Sequence, residues 1–365
     1  MYDQHFLVAV ISNFVTEKNY RFTSFGSGHI HDTYLVETRG DFPQRYLLQR
    51  INNHVFQDIP KMMENIYTIT NYLKQEIEQQ EDSVFTTTEV IPTINKALFF
   101  KDSDDQYWRM LTFIPETISY NKVTSEIQAF EAGFAFGKFQ RFLSTMPTSD
   151  LTITIPNFHN MEYRLANFAK SKSEDVVNRL KSVKAEIEFV EDRKQKMIDF
   201  YSKIETDSFP IRVTHNDTKF NNVLLDKRTQ KAVSVIDLDT VMPGTILYDF
   251  GDAVRTIINL GEEDEKNLNK ITIALSYYKS FAAGYLKETS PFLTHNEIRH
   301  LVFACQYMTF IMGLRFLTDY LAGDVYYKIH HATHNLQRAR AQFRLLECIE
   351  KVENEMHVII QKLSK

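Results

Sequence analysis

Apolar and polar residues alternate in short runs through the first third of the chain, which predicts β-strands interrupted by a single helix. The clearest runs are 22–25, 33–37 and 46–51, and further short strands are expected after the helix. Pro60 opens the helical pattern, which continues to about Gln80, because proline is tolerated in the first turn of a helix. The pattern therefore predicts a small, five-stranded antiparallel sheet with one helix.

From about residue 125 onward, apolar residues recur at the spacing of an α-helix. The first such series consists of Ile127, Phe130, Phe134, Phe139 and Phe142, and Pro147 ends it. We expect more helix over 161–196, short strands and loops over 211–248, and helices from 252 to the C-terminus with a break at 289–294. The predicted fold class is α+β, with a small N-terminal lobe at 1–115 and a larger, mainly helical C-terminal lobe at 116–365.

Composition narrows the class of protein. The chain has 365 residues, 43% of them hydrophobic, and a formal net charge of −5, so it is neither disordered nor basic. We expect no nucleic acid and no membrane as partner, because there is no basic field and no run of roughly 18 apolar residues. Cys305 and Cys348 fall in predicted helices and form no disulfide framework, which, with the absence of a signal-peptide pattern, favours the cytoplasm.

The densest polar motif lies at 215–222, where apolar runs flank the pattern His-x-Asp-x-x-x-x-Asn. Phosphoryl transfer from ATP needs a carboxylate to accept the proton of the attacking hydroxyl, and oxygen ligands to hold Mg²⁺ at the phosphates. Asp217 and Asn222 fit these two roles, and Lys219 between them would offset charge on the transferred phosphate. Taken alone, the spacing also fits an ordinary polar surface loop.

A second motif begins some fifteen residues further along the chain. A short apolar strand at 233–236 ends at Asp237, and Asp239 follows two residues later. A carboxylate at such a strand end loses solvation unless it is capped, paired or bound to a cation. We therefore expect Asp237 to bind Mg²⁺ and Asp239 to assist it. The alternative is a turn or N-cap aspartate, which the spacing to the first motif disfavours.

The segment 237–240 also contains the Asp-x-Asp spacing of haloacid-dehalogenase-like phosphatases. Those enzymes place their aspartates after the first strand of a doubly wound domain, near the start of the chain, and alternating strands and helices come next. Here helices dominate the chain beyond residue 240, and the later threonine of that motif is displaced by one position. A phosphatase is therefore the weaker interpretation.

Together, the two motifs resemble those of the aminoglycoside phosphotransferase and choline kinase superfamily, which has a two-lobed protein-kinase-like fold. The resemblance is closer still to the N-acetylhexosamine 1-kinases. The matching stretches extend over both lobes and are 26–29, 32–34, 215–222, 236–243, 248–252 and 315–326.

The resemblance implies that Asp217 is the catalytic base and that Asn222 and Asp237 are the Mg²⁺ ligands. It implies that a glycine-containing loop covers the nucleotide phosphates, because glycine lets backbone N–H groups approach them closely. The residues assigned to the nucleotide in this way are Gly26, Ser27, Gly28, Phe113 and Pro115.

The same resemblance implies that His29, Arg315 and Tyr326 contact the sugar, and that Asp249 holds the catalytic loop in place. Each of the three sugar contacts also has an ordinary structural interpretation. His29 fits a loop histidine, Arg315 a helix-surface arginine in an ion pair, and Tyr326 a core tyrosine.

One departure from the kinase pattern concerns the third strand, which normally carries a lysine that grips the phosphates and pairs with a helix glutamate. Here that strand ends in Gln49 and Arg50. Arg50 is the candidate cation, with Glu64 as its partner, but the sequence does not decide which of Gln49 and Arg50 faces the nucleotide. A catalytically dead nucleotide-binding protein therefore stays open as an alternative, against which the retention of Asp217, Asn222 and Asp237 argues.

The leading hypothesis is an ATP- and Mg²⁺-dependent kinase that phosphorylates the anomeric hydroxyl of N-acetylglucosamine or N-acetylgalactosamine. Alternatives within the same fold are kinases of an aminoglycoside, of choline or of another sugar. We expect a cytoplasmic monomer whose partner is a small-molecule sugar.

Overall fold

The structure is a computed structural model that describes residues 2–26, 31–53, 55–80, 84–206 and 209–365. Its strands are β1 (Tyr20–Ser24), β2 (Asp32–Thr38), β3 (Arg45–Ile51), β4 (Val90–Ile91), β5 (Phe100–Lys101), β6 (Tyr107–Thr112), β7 (Thr117–Ile118), β8 (Arg212–Thr214), β9 (Val223–Asp226), β10 (Ala232–Val235) and β11 (Met242–Gly244). Its helices are α1 (Gln4–Ile11), α2 (Ile59–Glu78), α3 (Glu126–Leu143), α4 (Met161–Glu174), α5 (Lys184–Glu205), α6 (Ile246–Ile257), α7 (Leu275–Thr289), α8 (His295–Leu321), α9 (His334–Lys351) and α10 (Glu353–Leu363).

The chain folds as two compact units. The strand-rich unit comprises Met1–Ser119, Thr145–Ile155 and Leu224–Pro243, and the helical unit comprises Tyr120–Ser144, Pro156–Val223 and Gly244–Lys365. The predicted α+β class is confirmed, since the N-terminal region contains an antiparallel sheet and the remainder is mostly helical.

The main sheet of the strand-rich unit has the strand order β1-β2-β3-β6-β4, and β5 also pairs with β6. Side chains of each strand alternate between the two faces of the sheet. One face packs against α1 through a core that includes Tyr34, Val36, Leu48, Trp108 and Met110. Arg50 is two residues after Leu48 on β3 and therefore lies on the same face. Gln49 and Arg109 lie directly opposite each other in the register of β3 and β6, on the other face.

The helix α2 begins where the sequence predicts, because Asp58 caps it and Pro60 occupies its first turn. The Asp58 side chain accepts a hydrogen bond from the Lys61 N–H, which satisfies one of the free donors at the helix start. The apolar positions of the helix are buried on one side and include Met62, Met63, Ile66, Ile69 and Leu73.

Close packing of one helix pair and the capped start of α8 organise the helical unit. The helices α3 and α7 pack so closely that glycines fill the contact, as at Gly133 and Gly284. The helix α8 begins with a capping box, in which Thr294 and Glu297 each bond the other's backbone N–H, so the predicted break at 289–294 is confirmed.

The helix α8 is long and apolar enough to cross a membrane, contrary to the expectation from the sequence that no stretch would be. Most of it is buried, with 83% of its most apolar stretch lying inside the protein. A helix that is apolar on all sides is typical of the core of a large unit.

Candidate active site

The motif at 215–222 forms a loop between β8 and β9, as the sequence predicts. Asp249 of α6 holds this loop by its backbone: its two carboxylate oxygens accept the N–H groups of His215 and Asn216 at 2.8 and 2.7 Å. The Thr218 hydroxyl donates to the Asp249 carbonyl at 2.6 Å, and Gln140 of α3 donates to the carboxylate. Burial raises the pKa of Asp249 to about 6. Asp249 therefore positions the loop, in the role that the resemblance implies.

Asp217 is ionised in this loop. Burial opposes its charge, but the neighbouring charges of Lys219 and His215 lower the pKa of the Asp217 carboxyl below its ordinary value. The Lys219 ammonium lies 3.1 Å from Asp217 Oδ1, and the charge of Asp217 raises the pKa of Lys219 in return. An ionised carboxylate is the form that a general base needs.

Asn222 is oriented as a cation ligand would be. Its Nδ2 donates to the main-chain carbonyl of Asp217 at 2.8 Å, which directs the amide oxygen elsewhere. Within the described chain, that oxygen has no hydrogen-bond partner. A neutral amide oxygen beside an ionised carboxylate is a donor set that suits Mg²⁺.

In the strand-rich unit, Asp237 follows β10 in a left-handed conformation with φ of 64° and is exposed. Asp239 is buried, and Arg109 of β6 donates to both of its carboxylate oxygens. His31 Nε2 lies 2.5 Å from Asp239 Oδ2, and His31 Nδ1 accepts the Asn52 N–H at 3.1 Å. Ligand atoms of His31, Asp237 and Asp239 all lie within 4.8 Å of one another.

These contacts give Asp237 and Asp239 different environments. Although burial opposes ionisation, Arg109 and His31 lower the pKa of Asp239, whose charge is thus already balanced by protein groups. Both ring nitrogens of His31 are engaged. Asp237 is the oxygen donor of this group that fits a hard cation. Arg109 and His31 were not predicted from the sequence; a charged residue inside the otherwise apolar run 108–111 was the one available signal.

Of the residues that the resemblance assigns to the nucleotide, the structure describes Gly26, Phe113 and Pro115. Gly26 has a φ of 76°, which only glycine adopts readily, and no atom lies within 4 Å of the position of a Cβ there. Phe25 meets Phe113 edge to face at 5.6 Å, so Phe113 lies beside this loop, and Pro115 lies in the turn after β6. A cavity of about 290 Å³ adjoins Gly26 and the start of β2. Ser27, Gly28 and His29 lie outside the described residues.

The proposed pair of Arg50 with Glu64 is not formed. Arg50 lies on the α1 side of the sheet, where it bonds Asp32 at 2.7 Å and Gln106 at 2.8 Å. Glu64 is exposed on α2. Gln49 faces the other side and accepts from Arg109 Nε at 2.9 Å. Strand alternation thus places Gln49, and not Arg50, beside the buried Arg109.

Two of the predicted sugar contacts lie together in the helical unit. Arg315 of α8 is buried, and its guanidinium carbon is 5.8 Å from the Tyr326 ring centroid and 5.0 Å from that of Phe158. The N–H groups of Tyr326 and Tyr327 donate to the two oxygens of Asp319 at 2.8 and 3.0 Å. Asp319 thereby fixes the segment after α8.

Comparison with known proteins agrees with this arrangement. The family model of the phosphotransferase enzyme family matches residues 21–275, well over half of the chain. The protein is therefore a member of the phosphotransferase enzyme family, a kinase that transfers phosphate to a small molecule.

Solved structures show the same fold at low sequence identity. Choline kinase from Cryptosporidium parvum is 14% identical, with a TM-score of 0.57 and 100% of both chains covered. Ethanolamine kinase from Plasmodium vivax is 14% identical, with a TM-score of 0.62, and the match covers 94% of this chain and 89% of that one. Spectinomycin phosphotransferase, solved with ADP and spectinomycin, is 13% identical, with a TM-score of 0.59 and coverage of 96% and 99%.

Proposed function

We propose that the protein uses ATP and Mg²⁺ to phosphorylate the anomeric hydroxyl of an N-acetylhexosamine, N-acetylglucosamine or N-acetylgalactosamine. The observation that carries this proposal is the position of Arg315 and Tyr326 beside each other, in the unit that also contains Asp217. Burial opposes the charge of Arg315, but Tyr327, Tyr326 and the carboxylates of Asp217 and Asp252 raise its pKa, so it stays cationic. An acceptor at Asp217 would meet aromatic rings and a positive charge.

The charge of this region separates the proposed substrate from those of the structural neighbours. Choline, ethanolamine and aminoglycosides are cationic, and a buried arginine repels them. A neutral sugar avoids this repulsion, and its hydroxyl and acetamido oxygens accept hydrogen bonds from a guanidinium. The local charge therefore favours a neutral acceptor over an amino alcohol.

In the proposed mechanism, Asp217 accepts the proton of the anomeric hydroxyl and aims its oxygen at the γ-phosphate of ATP. Lys219 holds Asp217 in place and faces the charge that develops on the transferred group. Asn222 and Asp237 would hold Mg²⁺, which supplies positive charge to the phosphates when bound. An anomeric hydroxyl is more acidic than an ordinary alcohol, so an ionised aspartate of low basicity suffices.

The test is ³¹P NMR of the protein with ATP and Mg²⁺ and, separately, N-acetylglucosamine, N-acetylgalactosamine, glucose, choline and an aminoglycoside. We expect an acid-labile anomeric monophosphate from the acetylated sugars only. Asp217→Asn should lower kcat by about 10²- to 10⁴-fold, the usual contribution of a general base. The matched control is Asp192→Asn, an exposed carboxylate on α5, which should leave kcat unchanged.

Each other result has a definite meaning. Transfer to choline or to the aminoglycoside would keep the family and discard the sugar. Binding of ATP without transfer to any of these acceptors would favour a nucleotide-binding protein that has lost catalysis. The same preparation should run as a monomer in size-exclusion chromatography, as we expect from the sequence.

A further inference from the structure

A second arginine lies close to Arg315 and was not apparent from the sequence. Arg164 of α4 donates from Nε and Nη2 to the carbonyl oxygen of Phe158, at 3.3 and 2.8 Å. Arg315 approaches the ring of the same residue, Phe158, with its guanidinium carbon 5.0 Å from the ring centroid. Phe158 thus brings two cationic side chains from α4 and α8 to one place, which we call the arginine pair.

The arginine pair has no carboxylate partner in the described part of the chain. Among the described residues, the one hydrogen bond of the Arg315 side chain runs from Nη1 to the sulfur of Met312, a weak acceptor, at 3.5 Å. Nη1 of Arg164, and Nε and Nη2 of Arg315, donate to no described group. Burial and the charge of Arg315 lower the pKa of Arg164 to about 10, so the two cations destabilise each other.

The acids whose charges act on Arg315, and Asp319 on the same helix, are engaged with other groups. Asp217 pairs with Lys219, and Asp252 pairs with Arg255 at 2.9 Å. Both oxygens of Asp319 accept backbone N–H groups. Asp217 and Asp252 therefore stabilise the charge of Arg315 without forming an ion pair with it, and no described carboxylate forms an ion pair with Arg164.

The walls around the arginine pair are aromatic and are held in place. The guanidinium of Arg315 lies 5.7 Å from the Tyr327 ring centroid, and the buried hydroxyl of Tyr327 has no described hydrogen-bond partner. Asn335 Nδ2 of α9 donates to Asp319 at 2.9 Å. Because Asp319 also accepts the N–H groups of Tyr326 and Tyr327, this bond connects the segment 326–327 to α9. Free donors, a free hydroxyl and a fixed wall make a site that is ready for a ligand.

We propose that Arg164 and Arg315 form an oxyanion-binding subsite of the acceptor site, which selects a sugar that carries a carboxylate in addition to the hydroxyl that is phosphorylated. This inference rests on the proposed function and extends its acceptor from the neutral N-acetylhexosamines to sugars that also carry a carboxylate, which the subsite would bind more tightly. A carboxylate offsets both charges and accepts several N–H groups at once, because its geometry matches that of a guanidinium. A neutral carbonyl oxygen accepts hydrogen bonds from some of these N–H groups, but it does not reduce the repulsion between the two arginines.

Binding of matched sugar pairs to the nucleotide-free protein tests the subsite without turnover. The pairs are glucose with glucuronic acid, and N-acetylglucosamine with its 6-carboxylate, measured by isothermal titration calorimetry in chloride buffer. We expect each acid to bind at least about tenfold more tightly than its neutral parent, the usual strength of a hydrogen bond to a charged group. Equal affinity of acid and parent would overturn the proposal.

Arg164→Gln should bring the ratio of acid to neutral affinity close to one. Arg164→Lys, which keeps the charge but loses the planar fork, should retain an intermediate ratio. Arg299→Gln, an exposed arginine on α8, is the matched control and should leave the ratio unchanged. A preference for the acids that survives in Arg164→Gln would also contradict the proposal. Circular dichroism confirms that each variant is folded, and Arg164 is preferred to the more deeply buried Arg315 for this reason.

Competition with inorganic sulfate distinguishes a subsite that binds the carboxylate of an acceptor sugar from a site that binds any free anion. Sulfate should compete with the acidic sugar in wild type and lose affinity in Arg164→Gln. Sulfate binding with no preference for the acidic sugars would overturn the selection of an acidic acceptor. Tight binding of the acids, with phosphoryl transfer neither to them nor to the N-acetylhexosamines in ³¹P NMR, would contradict the proposed reaction and leave the subsite supported. Phosphoryl transfer to N-acetylglucosamine, with equal affinity for this sugar and its 6-carboxylate, would support the proposed reaction and contradict the subsite.

Discussion

Arg109 and Asp239 are charged side chains that are almost inaccessible to water, with 3% and 2% of their surface exposed. Such a pair contributes little net stability while both partners are present, but removing one leaves an uncompensated buried charge. Asp239 is also two residues from Asp237. The pair therefore fixes the turn that carries the proposed Mg²⁺ ligand, and its loss affects folding before it affects catalysis.

Arg109→Gln should lower the free energy of unfolding by about 3–5 kcal/mol, since His31 is then the one described side chain that still pairs with the Asp239 carboxylate. Urea unfolding of the purified variant measures this value. The control is Arg21→Gln, which breaks the exposed pair of Arg21 with Glu37, where about 0–1 kcal/mol is expected. Equal losses in the two variants would contradict the buried-charge explanation.

At the scale of single residues, the loop at 215–222 could be predicted from the sequence because its members are local. Asp217, Lys219 and Asn222 lie within six consecutive positions, and a loop between two short strands brings them together. Arg109 and Asp239 are 130 residues apart, and no local pattern joins them. Arg164 was missed for the same reason, since it lies on a different helix from the predicted Arg315.

At the scale of elements, the closest contact in the helical unit is between α3 and α7. A Cβ at Gly133 would overlap the carbonyl oxygen of Phe281, and one at Gly284 would overlap that of Phe130. A Cβ at Gly137 would lie 2.7 Å from the carbonyl oxygen of Tyr285. Glycine is needed here for close packing of two backbones, since none of these residues has a positive φ.

Gly133→Ala should therefore destabilise the protein although alanine is the better helix former. Overpacking typically lowers the free energy of unfolding by about 1–3 kcal/mol, which exceeds the gain in helix propensity of about 1 kcal/mol. The control is Gly40→Ala in the turn between β2 and β3, where the nearest atom to a Cβ is 4.0 Å away. A higher free energy of unfolding for Gly133→Ala in chemical unfolding would contradict this explanation. It would show that α3 and α7 can move apart with little loss of stability.

The helices were predictable from the sequence because their periodicity is local. The helix α2 was expected from Pro60 to about Gln80 and occupies Ile59–Glu78. The strands β4 and β5 are two residues long and exist through their pairing with β6, so their bounds could not be predicted from propensity. Which face of β3 carries Gln49 was likewise decided by a distant element, α1, which covers the opposite face.

At the scale of the whole molecule, stability against pH reports on the carboxyl groups with displaced pKa values. Asp217 and Asp239 have lowered pKa values, so their contributions are present above pH 4 and are lost as the pH falls further. Asp249 acts in the opposite sense, because its pKa is raised from 3.8 to about 6. Between these values the folded protein holds a proton that the unfolded chain has released, so the contribution of Asp249 falls as the pH rises through about 6.

Asp249→Asn isolates this contribution. Between pH 5 and pH 7.5, wild type should lose about 1–2 kcal/mol of unfolding free energy relative to Asp249→Asn, the linkage expected for this shift. The constant effect of replacing a carboxylate that accepts two backbone N–H groups cancels in the comparison of slopes, as do all other titrating groups. Denaturant unfolding at several pH values gives the two slopes. Parallel slopes would mean that Asp249 is ionised throughout, because its three hydrogen-bond donors would then outweigh its burial.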